Sequence, residues 1–160
     1  MKPAGQKAPP SPYGAPCACS RLRRASRAVT QLYDDALAPA GLRVTQLSLL
    51  RTLQRQGNLR IGELAASTLL DRTALSRNLD PLLERGLVAV AAGRDARTRE
   101  VSLTRQGTAA IAAAAPHWER AQQDVAQRIG PDRLNQLFGV LRDIEALHPG
   151  ARAESPAVAT

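Results

Sequence analysis

Three arginines and two acids fall within the twelve residues GRDARTREVSLT, Gly93 to Thr104. A guanidinium presents a rigid fork of donors suited to phosphate or to guanine O6 and N7, so Arg94, Arg97 and Arg99 are equipped to hold a polyanion. Asp95, two residues before Arg97, can accept its N–H groups and keep that side chain extended. The acid costs some attraction to an anion but reduces the entropy lost on binding. A second set lies upstream in Arg72, Thr73, Ser76, Arg77 and Asp80. Thr73, Ser76, Arg77 and Asp80 step by three, one and three, so they share one outward face of a helix. Arginine there can read guanine, and the hydroxyls can serve bases or phosphates. A merely solvated helix face carries the same residue types, so this set alone does not decide between the two.

The charge balance agrees with a polyanionic partner. The chain has 160 residues, 22 Lys plus Arg against 14 Asp plus Glu, and a formal net charge of +8. Only Lys2 and Lys7 are lysines. A merely basic soluble protein is the plainer alternative. No phosphate loop, dinucleotide fingerprint, nucleophile elbow or metal-spaced histidine pair occurs, so an enzyme is not expected, nor is a cofactor or a metal. No window approaches ~18 consecutive apolar residues, so no membrane span is expected. Cys17 and Cys19 are too few for a disulfide scaffold, which suits a reducing cytoplasm.

The elements that must position these residues follow from apolar spacing. Hydrophobic residues make up 44% of the chain but aromatics only 2%. The core must therefore be leucine and alanine, both strong helix formers. Residues 1–16 hold five prolines and no apolar run, and read as a disordered leader rather than a signal peptide. A helix is expected over Ser20 to Ala38, with Leu22, Ala25, Val29, Leu32, Ala36 and Leu37 on one face. Thr45 is expected to cap a second helix that carries Leu47, Leu50 and Leu53 and stops at Gly57. A short helix over Ile61 to Ser67 leads into a tight turn at Thr68, Leu69 and Leu70. Asp71 then caps a helix running to about Arg85, with Leu75, Leu79 and Leu82 or Leu83 inward and Pro81 bending or weakening its last turns. Strands are expected at Leu87 to Val90 and Glu100 to Leu103. Thr104 caps a long helix to about Ile129 that Pro116 must kink or divide. A last helix starts at Gly130-Pro131-Asp132 with the stripe Leu134, Leu137, Phe138, Leu141 and Ile144. Residues 149–160 read as a flexible tail, leaving 17–148 as one domain.

Helix, tight turn, helix is the helix-turn-helix arrangement, whose second helix enters the DNA major groove. A charged hairpin beside that second helix makes it a winged helix-turn-helix. The hairpin would bring Arg94, Arg97 and Arg99 to a minor groove, which attracts arginine when narrow. The fold class expected is mostly α with a small β-hairpin wing.

At these residues the chain resembles the MarR family of bacterial transcription regulators. The segment RIGELAASTLLDRTALSRNLDPLLERGLV, followed by RDARTREVSLTRQG, matches the family pattern. That pattern is a helix containing ELA, a recognition helix ending LxxxGLV, a wing with Asp-x-Arg at Asp95 and Arg97, and LTxxG opening the next helix. The resemblance covers about Ser20 to Leu147. Pro81 departs from the pattern, and Arg60 stands where a small polar helix cap is expected. The resemblance implies a cytoplasmic homodimer in which the first and last helices form the dimerisation region. It implies binding, as a repressor, to double-stranded DNA bearing a pseudo-palindromic operator.

The resemblance also implies release from DNA by a small phenolic or aromatic effector, or by an oxidant. Tyr33, Arg51, His117 and Trp118 are candidate cleft residues, although core or surface roles account for each more simply. Cys17 and Cys19 lie at the start of the first helix, followed by Arg21, Arg23, Arg24 and Arg27, a setting that suits a redox-active thiol. Organic-hydroperoxide repressors of this family carry a sensing cysteine early in this helix and a tyrosine fourteen residues later, matched here by Cys19 and Tyr33. Their further tyrosine four residues after the cysteine is Arg23 in this chain. A thiol-based hydroperoxide sensor is therefore one alternative, and a winged-helix module for protein or RNA contacts is another.

Overall fold

The computed structural model describes residues 17–93 and 99–148. Its first helix, α1 (Ala18–Leu37), begins directly after Cys17 and ends in a single 3-10 turn, Ala38–Ala40. Gly41 follows at φ 65, a left-handed conformation that costs glycine nothing. The second helix, α2, spans Val44–Gln56. Its start differs from the expectation, because Thr45 is not the cap. Asp34 of α1 reaches across ten residues so that its Oδ1 accepts the Val44 N–H at 2.7 Å, and Gln46 Oε1 accepts the Arg43 N–H at 3.0 Å. Thr45 is thereby released to donate its hydroxyl to Asn78 Oδ1 at 2.7 Å, tying α2 to α4 (Arg72–Glu84).

Between α2 and α3 (Ile61–Thr68) lies a two-residue strand, β1 (Leu59–Arg60), which the sequence pattern did not predict. It pairs antiparallel with β3 (Arg99–Leu103), which in turn pairs antiparallel with β2 (Val88–Ala92). The order β1-β3-β2 puts β3 in the middle, with Leu59 opposite Val101 and Val88 opposite Leu103. The hairpin root is therefore a three-stranded sheet anchored at the entrance to the helix-turn-helix.

The helix α5 (Arg105–Ile129) passes through Pro116 undivided. Pro116 and Ala112 are both exposed, so water can satisfy the Ala112 carbonyl that loses its intrahelical donor. Thr104 caps α5 as expected, its Oγ1 accepting the Gly107 N–H at 3.0 Å while donating to the Gly86 carbonyl at 2.7 Å. The last helix, α6, spans Pro131–Glu145.

The core is leucine-rich, as the composition requires. Leu37, Leu47, Leu49, Leu50, Leu53, Leu64, Leu75, Leu82 and Val101 are fully buried where the end of α1, α2, α3, α4 and the sheet meet. Two stripes stay outside it. On α1, Val29 is 44% exposed and Leu22 and Leu32 are only half-buried. On α6 no residue is buried, and Phe138 is 46% exposed.

Candidate nucleic-acid interface

The turn between α3 and α4 sets the second helix at its angle. Leu69 adopts φ 51, an uncommon conformation for leucine, and lets the Leu69 and Leu70 N–H groups close on the carbonyls of Ala66 and Ala65. Asp71 then caps α4, its Oδ1 accepting the Ala74 N–H at 2.8 Å. Leu75, Leu79 and Leu82 are buried, which fixes the helix in rotation. Arg72, Thr73, Ser76, Arg77 and Asp80 are consequently all exposed on the other side. Asn78, between the two faces, donates its side-chain amide to the Ala74 carbonyl at 2.8 Å and accepts from Thr45, which holds the middle of α4 against α2. At its end, Arg85 Nη1 donates to the Gly41 carbonyl at 2.6 Å.

Arg99 opens β3 opposite Ala92 and is exposed. Arg94, Asp95 and Arg97 lie outside the described residues, as do the expected leader and tail. Between α3, α4 and the wing root is an open depression of about 750 Å³, lined by Arg60, Gly62, Glu63, Arg72, Ser76 and Arg99 among others. Sequence reasoning did not place Arg60 in a site. The signal available was its oddity as a helix cap: it occupies the N-cap position of α3, but the capping is done by Glu63, whose Oε2 accepts the Arg60 N–H at 2.8 Å.

The residues expected to sense a signal fall into two groups. Arg51 of α2 lies over the ring of Trp118 of α5, 4.0 Å from its centroid, so these two are brought together. Burial, with Arg55 nearby, pulls the Arg51 guanidinium below its ordinary range, and Glu119 partly restores it. His117 is half-buried beside them in sequence. Cys17 and Cys19 are exposed free thiols at the start of α1. Tyr33 is on the same unbroken helix but buried, and its hydroxyl donates to Gln122 Oε1 of α5. Burial pushes the Tyr33 phenol above its ordinary 10.0. Fourteen residues of helix separate Cys19 from Tyr33 by ~21 Å, so one chain does not bring them together.

No helix among the described residues is long and apolar enough to cross a membrane. A MarR family model matches residues 40–98, from the α1–α2 corner to the wing. The chain is similar to the Mycobacterium tuberculosis transcriptional regulator MosR, solved in complex with DNA. That likeness has 38% identity and a TM-score of 0.71, over 83% of this chain and 99% of that one. It is also similar to the transcriptional repressor CouR bound to a 23-mer DNA duplex, with 26% identity and a TM-score of 0.73 over 80% of this chain and 92% of that one. CouR from Rhodococcus jostii RHA1 bound to p-coumaroyl-CoA matches at 27% identity and a TM-score of 0.66, over 78% of this chain and 88% of that one. No match to a curated protein was found.

Proposed function

We propose, because the chain belongs to the MarR family, that it is a sequence-specific transcriptional regulator, a repressor that binds double-stranded DNA as a homodimer. The observation that carries this reading is the outward face of α4. Arg72, Thr73, Ser76 and Arg77 stand exposed on a helix capped by Asp71, locked in rotation by three buried leucines and flanked by Arg99 of the wing. Solved structures of MosR and CouR with DNA support duplex DNA as the partner. Arg94 and Arg97 complete the proposed contacts, with Asp95 positioning Arg97.

The apolar stripes of α1 and α6 support a dimer. Val29, Leu137, Phe138 and Val140 are each at least 39% exposed in the single chain. A second copy covers such a surface, and a two-fold dimer reads two half-sites about one helical turn apart. The regulator works in the cytoplasm, without catalytic chemistry, and leaves DNA when a small aromatic ligand or an oxidant arrives. CouR bound to p-coumaroyl-CoA and the Arg51–Trp118 pair favour the ligand. The exposed Cys17 and Cys19 favour the oxidant.

The test is protein-bound genomic fragments, sequenced, followed by anisotropy titrations over a range of salt. Two or three arginines on phosphates in each subunit release about four to six counterions, so log K should fall with log salt at a slope of about −4 to −5. A slope near zero, or fragments sharing no palindrome, contradicts the reading.

A further inference from the structure

We propose that Arg60, Arg72 and Arg99 form a clamp for the sugar–phosphate backbone of bound duplex DNA, seated in the depression between α3, α4 and the wing root. The clamp rests on the DNA-binding reading above and deepens it. The three arginines come from three separate elements, β1, α4 and β3, yet line one depression. All three residues are exposed, and among the described residues none of them forms an ion pair.

Among the described residues, Glu63 is the one acid lining the depression. One of its oxygens is engaged by the Arg60 N–H, and three arginines against one carboxylate leave an excess of positive charge. Gly62 meets nothing within 4 Å of where a Cβ would sit, so an oxygen can approach the backbone of the first turn of α3 closely. The N–H groups of that turn have no intrahelical acceptor and point the same way along the helix.

Size and position select the ligand. At about 750 Å³ and open to solvent, the depression is larger than one phosphate needs and suits a strand passing over it. Ser76 belongs both to this depression and to the outward face of α4. A backbone phosphate held here therefore lies at the edge of the groove that α4 enters. β1 is what makes the clamp: pairing of Arg60 with Glu100 sets Arg60 beside the start of β3, where Arg99 stands.

The experiment uses the full chain and measures log K against log salt on two duplexes of unrelated sequence, each about two helical turns long. Each phosphate contact on duplex DNA contributes about 0.9 to the slope, so Arg60→Ala, lost from both subunits, should make it shallower by about 2. Wild-type and variant lines should converge near ~1 M salt and differ by roughly 60-fold at ~0.1 M. The loss should be equal on both duplexes, and Arg60→Lys should keep the wild-type slope. Arg60→Gln repeats the test without removing the side-chain stem, and a melting curve for each variant verifies the fold.

An unchanged slope for Arg60→Ala, with wild type still steep, overturns the clamp and leaves the DNA reading standing. A wild type that binds neither these duplexes nor its own genomic fragments overturns both. Pyrophosphate titrated calorimetrically without DNA is the remaining arm. If it binds wild type but not Arg60→Ala while the salt slopes agree, the depression serves a soluble phosphorylated ligand and the clamp is overturned.

Discussion

Replacing Gly107 with alanine should separate the wing root from α5. A Cβ built there would lie 2.1 Å from the Leu87 carbonyl oxygen and 2.7 Å from Leu103 Cδ1. An ordinary carbon–oxygen contact is about 3.3 Å or more, so the first turn of α5 and the α4–β2 junction must part by roughly 1 Å. That displacement falls on a cluster of hydrogen bonds. Thr104 N–H donates to the Leu87 carbonyl at 3.2 Å, and Thr104 Oγ1 lies 2.7 Å from the Gly86 carbonyl and 3.0 Å from that of Leu87. The hydroxyl has one proton to share between the two carbonyls, so losing that bond and the amide bond at about 1 kcal/mol each costs about 2 kcal/mol, and the better helix propensity of alanine returns at most about 1. The net loss of about 1–2 kcal/mol should lower Tm by roughly 5 °C. The assay is thermal or urea unfolding at fixed protomer concentration, since the stability of the proposed dimer would depend on it. Gly62→Ala is the matched control. It lies in a helix with nothing within 4 Å of its Cβ, so it should stabilise by about 0.5–1 kcal/mol. A Gly107→Ala variant that melts within a degree or two of wild type would refute the close-approach argument.

Asp71→Ala removes the cap of α4 and should cost about 1 kcal/mol by denaturant unfolding, with a larger loss of DNA affinity than of fold if α4 carries the proposed reading face. Tyr33→Phe breaks the hydrogen bond to Gln122 and should cost about 1 kcal/mol. Because burial raises the Tyr33 phenol in the folded protein, the unfolded chain ionises first. Stability should therefore fall as pH rises past 10 towards the folded value, and Tyr33→Phe should remove that part of the fall in melts recorded across the alkaline range. Trp118 is the chain's one tryptophan, so Arg51→Ala should change its fluorescence and cost about 1 kcal/mol. A phenolic effector entering beside it should alter the same signal, and a titration with no change would place the effector elsewhere.

The parts of the fold that local chemistry controls were readable from the chain. Asp71 and Thr104 cap the helices their positions suggested, because a cap is a contact over three residues. The inward leucines of α4 followed from spacing alone. What escaped was decided at longer range. Thr45 lost the capping role because Asp34, on a different helix, supplied the acceptor. β1 escaped because two residues carry no alternation, and its existence depends on β3 some forty residues later. Arg60 stands out in the sequence as an unsuitable cap, but Arg99 is brought to it only by that strand pairing and Arg72 only by the turn between α3 and α4. The stripes of α1 and α6 were seen as apolar, yet periodicity cannot say which chain covers them.

The two bonds that fasten α4 to the α1–α2 corner, Thr45 to Asn78 and Arg85 to the Gly41 carbonyl, bear on how the proposed release from DNA would work. A helix held at its middle and its end, with its inner face packed in leucine, should not fray if the proposed dimer region shifts; it should be carried along. Its backbone amides should then exchange with deuterium as slowly in the effector-bound state as in the free one. In the proposed dimer, the distance between the two copies of α4 should change instead, which a pair of spin labels on Thr73 would read directly.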